Sequence, residues 1–83
     1  MDRWKILDKV SVERDRQDEK WGVQGHAPMK WMTILMEEVG ETSKAILEDK
    51  VLDYEKELIQ VAAVAVAALE DLNRQDGIHP VSL

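Results

Sequence analysis

The chain has 83 residues, 17 of them acidic and 11 basic, and a formal net charge of −6. A single domain this small buries only about 60 to 65% of the surface that its unfolded chain exposes, so its core is thin. No run of Lys or Arg forms the basic stripe that binding to a phosphate backbone requires, and nucleic acid is not an expected partner.

Self-association is expected because the chain needs additional stabilisation. It contains no Cys, so disulfides cannot supplement the core, and its hydrophobic content is 45%. That is more apolar surface than one three-helix unit hides. We therefore expect a homo-oligomer, either a dimer or a tetramer, whose copies complete a four-helix-bundle-like core.

Membrane insertion and secretion are not expected. The longest nearly continuous apolar run, residues 58–69, is about half of the roughly 20 residues that span a bilayer. Residues 1–5 lead directly into a charged helical pattern, without the apolar segment of a signal peptide. These features, together with the absence of Cys, predict a cytoplasmic protein with no membrane partner.

Periodicity predicts three helices in a single domain. They cover about residues 4–21, about residues 29–48 and residues 54–73, with Asp53 as the N-cap of the third. Helix-breaking residues separate or end these segments: Gly22, Gly25, Pro28, Gly77 and Pro80. No segment shows convincing strand alternation, so the predicted fold is an all-α antiparallel bundle.

The predicted core faces follow from the same periodicity. One stripe of the second helix should face the core: Trp31, Ile34, Leu35, Glu38, Thr42 and Ala45. Met29, Met32 and Met36 are predicted to be adaptable core filling. Residues 58–69 are apolar nearly all round, with Gln60 as the only polar side chain, so this segment should be buried on most sides. Such burial requires a central position or a subunit interface.

Two acidic spacings predict a metal site. Glu38 and Glu41 are three residues apart on the second helix, as are Glu57 and Gln60 on the third, and residues with this spacing are neighbours on a helix surface. The short connection favours antiparallel packing, which brings the two pairs to similar heights. Their oxygen atoms then converge in a set suited to Mg²⁺, with Mn²⁺ as a possible substitute.

Gly40 favours this interpretation over an ordinary solvated helix face. A glycine inside a helix costs about 1 kcal/mol relative to Ala, and it often reflects the close approach of a neighbouring helix or ligand. Glu38 also lies on the stripe expected to face the core, where an unpaired charge is unfavourable.

Residues 37–41 (Glu-Glu-Val-Gly-Glu) and 57–63 (Glu-Leu-Ile-Gln-Val-Ala-Ala) resemble motifs of the MazG-like all-α nucleoside triphosphate pyrophosphohydrolases. Residues 13–22 resemble the first helix of small phage-type and bacterial members. The resemblance spans about residues 10–72 and implies one MazG-like domain over residues 1–83. It also implies Mg²⁺-dependent hydrolysis of a nucleoside or deoxynucleoside triphosphate to the monophosphate and pyrophosphate, for housecleaning or pool control.

The resemblance assigns roles to individual residues. Glu38, Glu41 and Glu57 match metal ligands of the family, while Gln60 stands where the family usually has Asp. An amide oxygen can bind a cation but adds no charge, so a catalytically silent member is an alternative. The cation would lower the pKa of a bound water, whose proton a spare carboxylate accepts; Glu41 and Glu37 are the candidates.

Nucleotide contacts are expected near the end of the first helix, because the resemblance puts this region and the following loop beside the substrate. Trp21 and Trp31 are candidates to stack on a base, with a role as core anchors as the alternative. Gln17 and Arg14 share a face with Trp21 and are candidate contacts to sugar or base. Lys30 and Lys44 are candidates for phosphate oxygens, although surface lysines are usually only solvated.

Two other functions stay open at this point. One is a non-catalytic acidic helical interaction or regulatory module whose apolar face, residues 58–69, docks on a partner. The other is a phosphoribosyl-ATP pyrophosphatase-like enzyme on the same scaffold, which differs in its substrate.

Overall fold

Three helices make up the part of the protein that the computed structural model describes, residues 2–74. Helix α1 is Arg3–Trp21, α2 is Pro28–Leu47 and α3 is Val51–Arg74. No strand occurs between residues 2 and 74, and the all-α prediction is confirmed for this range. The predicted stop at Gly77 and Pro80 lies outside the described residues.

The ends of α1 and the start of α2 follow from local signals. Asp2 caps α1, since its side chain accepts a hydrogen bond from the backbone N–H of Lys5 at 3.0 Å. Gly22 ends the helix with a φ of 74°, a conformation that glycine adopts without steric cost. Pro28 opens α2, where its missing N–H removes no helical hydrogen bond.

The connection between α2 and α3 is tighter than predicted. Asp49 has a φ of 59°, and the N–H of Lys50 donates to the carbonyl of Ala45 at 2.9 Å, as in a Schellman motif. The N–H of Tyr54 already donates to the carbonyl of Lys50 at 3.0 Å. The prediction of Asp53 as an N-cap is therefore wrong. Asp53 lies in the first turn of α3, where its charge favourably meets the helix dipole.

Helix α3 is central, because it packs against both α1 and α2. Contacts join Trp31 to Asp71 and Glu38 to Gln60, so residue numbers fall along α3 as they rise along α2. The two helices are thus antiparallel, as predicted. On the other side of α3, Lys9 of α1 pairs with Glu55 at 3.0 Å.

The hydrophobic core is small and lies mainly between α2 and α3. Its buried cluster consists of Trp31, Val64 and Ala67, and partly buried residues pack against it: Ile34, Leu35 and Ala68. Along the predicted core stripe of α2, Trp31, Thr42 and Ala45 are buried and the other members are half-buried. The predicted core face of α2 is confirmed.

Large apolar side chains cover much of the outer surface, contrary to two predictions. Met29 is 84% exposed, and Met32 and Met36 are also exposed, so these methionines do not fill the core of the chain. Within residues 58–69, Ala63, Val64 and Ala67 are buried, but Leu58 and Leu69 are exposed. Central packing therefore covers only part of α3.

No helix within residues 2–74 combines the length and the apolar character needed to cross a lipid bilayer.

A buried carboxylate at the end of α3 holds the loop between α1 and α2. Asp71 is 5% exposed, and its Oδ2 accepts hydrogen bonds from the backbone N–H of His26 and from Nε1 of Trp31, both at 2.8 Å. Arg74 donates to the carbonyl of Gln24 at 2.9 Å. The loop is thereby fixed to the same end of the bundle as the start of α2.

We predict that Asp71→Ala lowers the free energy of unfolding by about 2–3 kcal/mol, because the buried N–H of Trp31 and the half-buried N–H of His26 lose their acceptor. Asp71→Asn keeps an oxygen acceptor at this position and should lose clearly less. Urea denaturation of both variants measures the difference. An alanine variant as stable as the wild type would contradict the anchoring role of Asp71.

Candidate metal and nucleotide site

Three of the four predicted metal-binding side chains converge between α2 and α3. The amide nitrogen of Gln60, in the orientation that gives it hydrogen bonds, donates to Glu57 Oε2 at 2.8 Å and to Glu38 Oε2 at 3.2 Å. Glu57 and Gln60 share one face of α3, and Glu38 approaches them from the core-facing stripe of α2. One amide group therefore links two carboxylates from different helices.

Glu41 lies beside this cluster. It is exposed and shares with Glu57 an open cleft of about 140 Å³ at the α2–α3 turn, also lined by Lys44, Ala45, Glu48, Lys50 and Asp53. Within residues 2–74, no three His, Cys, Asp or Glu side chains are grouped closely enough to hold a metal ion. The converging donors are two carboxylates and an amide.

The electrostatics at Glu38 show a local excess of negative charge. Partial burial raises its pKa above the usual 4.5, and the neighbouring carboxylates of Glu57, Glu41, Glu13 and Glu37 raise it further. Gln60 donates to Glu38 but brings no positive charge. A bound dication would remove this excess and favour the ionised form of Glu38.

The donor set fits a hard divalent cation. Mg²⁺ is commonly held by one or two carboxylates, with water and substrate phosphate oxygens completing its shell. The two ends of an amide have nearly the same shape, so half a turn of the Gln60 side chain replaces its nitrogen with its oxygen. The same three residues can therefore satisfy one another in the free protein or present three oxygens to Mg²⁺ or Mn²⁺.

Glu37 and the two candidate lysines occupy different surfaces. Glu37 lines an open groove on the outer side of α2 with Met29, Met32 and Met36, so the structure does not bring it to the convergence point. Lys44 lines the same cleft as Glu41. Lys30 is exposed in the first turn of α2, about two turns before Glu38.

The two tryptophans near the loop have different environments. Trp31 is buried and donates to Asp71, so it is a core anchor. Trp21 is 54% exposed, with Lys20 Nζ at 4.7 Å from its ring centroid. A small cavity of about 50 Å³ runs between them, lined by Arg14, Gln17, Asp18, Gly22, Gln24, Ala67 and Arg74 as well as both indoles. Trp21 and Gln17 therefore share one accessible surface.

Glu13 and Arg16 were not predicted from the sequence to lie near the site. The Glu13 side chain is 13% exposed and accepts hydrogen bonds from Arg16 Nε at 2.8 Å and Nη2 at 2.7 Å, and from Gln17 Nε2 at 3.3 Å. Both residues fall in a dense charged segment typical of a solvated face. The available signal was the spacing of Glu13, three residues after Val10 on the buried side of α1.

Arg14, predicted as a candidate contact to sugar or base, has a structural role instead. Its guanidinium is buried, with Nε donating to Glu70 at 2.6 Å, Nη1 to Gln17 at 3.0 Å and Nη2 to Asp18 at 2.8 Å. All three nitrogens are engaged, so this side chain ties α1 to α3 and orients Gln17.

Comparison of the chain with protein-family models, with curated proteins and with solved structures finds no match.

The raised pKa of Glu38 leads to a prediction about stability. Without a cation, ionised Glu38 lowers the free energy of unfolding at neutral pH. This destabilisation decreases as the pH falls through the raised pKa of the folded protein and is gone below 4.5, where the carboxyl is protonated in the folded and unfolded chains alike. We predict that Glu38→Gln raises the metal-free Tm at pH 7, with a gain that vanishes towards pH 4.5.

Added Mg²⁺ should raise the Tm of the wild type and leave that of Glu38→Gln unchanged. Glu37→Gln, at the adjacent outward-facing carboxylate, is the matched control and should keep the Mg²⁺ response. Thermal-shift titrations measure all three proteins. Equal Mg²⁺ shifts in the wild type and Glu38→Gln would argue against cation binding at this position.

Proposed function

We propose that the protein is a Mg²⁺-dependent nucleotide pyrophosphohydrolase that converts a nucleoside or deoxynucleoside triphosphate to the monophosphate and pyrophosphate. The observation that supports this most is the convergence of Glu38, Glu57 and Gln60 across the α2–α3 interface, with Glu41 beside them. A housecleaning or pool-controlling enzyme of this kind requires a bound cation, a positioned water and contacts that bind the nucleoside.

The side chains of the cluster have distinct parts in the proposed reaction. Glu38, Glu57 and the oxygen of Gln60 would hold Mg²⁺, which supplies charge neutralisation of the phosphates and a water of lowered pKa. Glu41 is exposed in the adjacent cleft, a suitable position for accepting the proton as water adds across the α–β phosphoanhydride bond. Lys44 lines that cleft and is available to a phosphate oxygen. If water attacks the α phosphorus, the bridging oxygen leaves with pyrophosphate and the added oxygen stays on the monophosphate. If water attacks the β phosphorus, the bridging oxygen stays on the monophosphate and the added oxygen is part of pyrophosphate.

The nucleoside end of the proposed site is on α1. The indole of Trp21 is 54% exposed and is a candidate surface for stacking of a base, and Gln17 lines the same cavity with its amide oriented by Arg14 and Glu13. This arrangement supports a substrate that extends along α1 from the carboxylates to the tryptophan.

We predict that the purified protein with Mg²⁺ releases pyrophosphate from at least one member of a panel of ribo- and deoxyribonucleoside triphosphates and phosphoribosyl-ATP. Gln60→Asp adds a charged ligand and should lower the Mg²⁺ concentration for half-maximal rate on the order of tenfold. Glu57→Gln should lose activity, whereas Glu55→Gln, half a turn away in the ion pair with Lys9, should keep it. A panel without pyrophosphate release by either the wild type or Gln60→Asp would contradict the proposal.

We also propose a homo-oligomer, a dimer or tetramer with a four-helix-bundle-like core. Within residues 2–74, more large hydrophobic side chains are exposed than buried. On α2 they include Met29, Met32, Met36 and Leu47, and on α3 they include Leu58 and Leu69. Apolar surface of this extent favours burial against another copy.

Gly40 offers a test of that association. A Cβ added to Gly40 would meet no atom of the described residues within 4 Å, so no helix of residues 2–74 makes the close approach that the sequence predicts for a neighbouring helix or ligand. We predict that Gly40→Ala stabilises the isolated protomer by about 1 kcal/mol but weakens self-association if a second copy approaches there. Analytical ultracentrifugation and Tm against concentration measure both effects, with Ser43→Ala on the same outer face as the control. A wild type that stays monomeric at all concentrations would contradict the oligomer.

The exposed methionines favour one second candidate, the non-catalytic interaction module. Flexible thioether side chains adapt to varied apolar partners, and Met29, Met32 and Met36 line one continuous groove. This candidate predicts no Mg²⁺-dependent Tm shift in the wild type, so the thermal-shift titration separates the two functions.

A further inference from the structure

Arg16 lies close to Trp21 and within electrostatic range of the carboxylate cluster, since the charge of Glu38 contributes to the raised pKa of Arg16. Its guanidinium donates through Nε and Nη2 to Glu13, and its Cζ is 5.9 Å from the centroid of the Trp21 ring. The Arg16 side chain is 47% exposed. A positive charge is thus held near the proposed base platform and within the field of the proposed metal ligand Glu38.

Glu13 fixes this guanidinium more firmly than a surface ion pair would. Its carboxylate is mostly buried and is also held by Gln17. The hydrogen bond from Arg16 lowers the pKa of Glu13 despite that burial, so Glu13 is ionised at neutral pH. The pair has two parallel hydrogen bonds, the geometry that gives an arginine a defined orientation.

One edge of the Arg16 guanidinium remains available. Among the residues from 2 to 74, Nη1 makes no hydrogen bond, whereas every nitrogen of the nearby Arg14 is engaged. A guanidinium edge formed by Nη1 and Nη2 matches two oxygens of a phosphate. Arg16 is therefore held along one edge and open along the other.

We propose that Arg16 binds the phosphate nearest the nucleoside, the α phosphate, of the substrate; this inference rests on the proposed pyrophosphohydrolase function. If the base stacks on Trp21 and the cation lies at Glu38, Glu57 and Gln60, the α phosphate must pass between these two points. Arg16 lies near both groups and is the cation that the α phosphate would meet there. This contact with the α phosphate makes Arg16 a substrate-binding residue that distinguishes a nucleotide from free pyrophosphate.

The competing explanation is an ordinary helical ion pair. Pairs three residues apart on an exposed helix contribute little to stability and nothing to ligand binding. That explanation predicts a small change in Tm and no change in affinity for any phosphate compound.

The test is isothermal titration of the full chain with Mg²⁺ and three kinds of ligand: the α,β-imido analogues of dATP, dCTP, dGTP and dTTP, the corresponding monophosphates, and pyrophosphate. Arg16→Gln should weaken binding of the best analogue and its monophosphate by about 10- to 100-fold, as expected for the loss of a charged hydrogen bond. Pyrophosphate binding should change by less than about twofold. Lys20→Gln removes the same charge beside the same indole and should leave all three affinities nearly unchanged.

The outcomes separate the two proposals. If the wild type binds an analogue and Arg16→Gln binds it equally well, the role of Arg16 is overturned while the proposed function stands. Equal losses in Arg16→Gln and Lys20→Gln, or a loss confined to pyrophosphate, would also overturn it. A wild type that binds no nucleotide with Mg²⁺ rejects the proposed function and, with it, the role of Arg16. Tm values for each variant establish that it is folded.

Discussion

Two carboxylates brought together by helix packing are the constraint on which the candidate site depends. The core contacts of Trp31 with α3 set the register between α2 and α3, and that register puts Glu38 opposite Glu57 in a half-buried space. Like charges so placed repel each other, and only the neutral amide of Gln60 links them. A bound cation would therefore stabilise this arrangement more than any uncharged partner would.

The two arginines Arg14 and Arg16 of α1 have different roles. Arg14 makes the hydrogen bond that joins α1 to α3, whereas Glu13 holds one edge of the Arg16 guanidinium and leaves the other edge open. Asp71 fixes the loop that follows α1, and so the surface that carries Trp21 and Gln17 has a rigid support. The polar network of α1 and the end of α3 thereby orients the proposed nucleoside end.

Sequence periodicity identified the three helices, the core stripe of α2 and the convergence of Glu38, Glu57 and Gln60, because a 3.6-residue period determines which residues share a face. It could not say whether an apolar face meets the same chain or another one, and so Met29 was misassigned to the core. Asp71 and Glu13 lie in charged segments, where burial depends on long-range packing that local spacing does not encode. The early start of α3 depends on the left-handed conformation of Asp49, which glycine would have signalled and aspartate does not.

The most direct test of the central claim is a crystal soaked in Mn²⁺ and measured near the manganese absorption edge. Cation binding by the cluster predicts an anomalous peak between Glu38, Glu57 and Gln60, with the amide oxygen of Gln60 turned towards the ion. A map without a peak at this position, with the Gln60 nitrogen still donating to both carboxylates at saturating Mn²⁺, would contradict it.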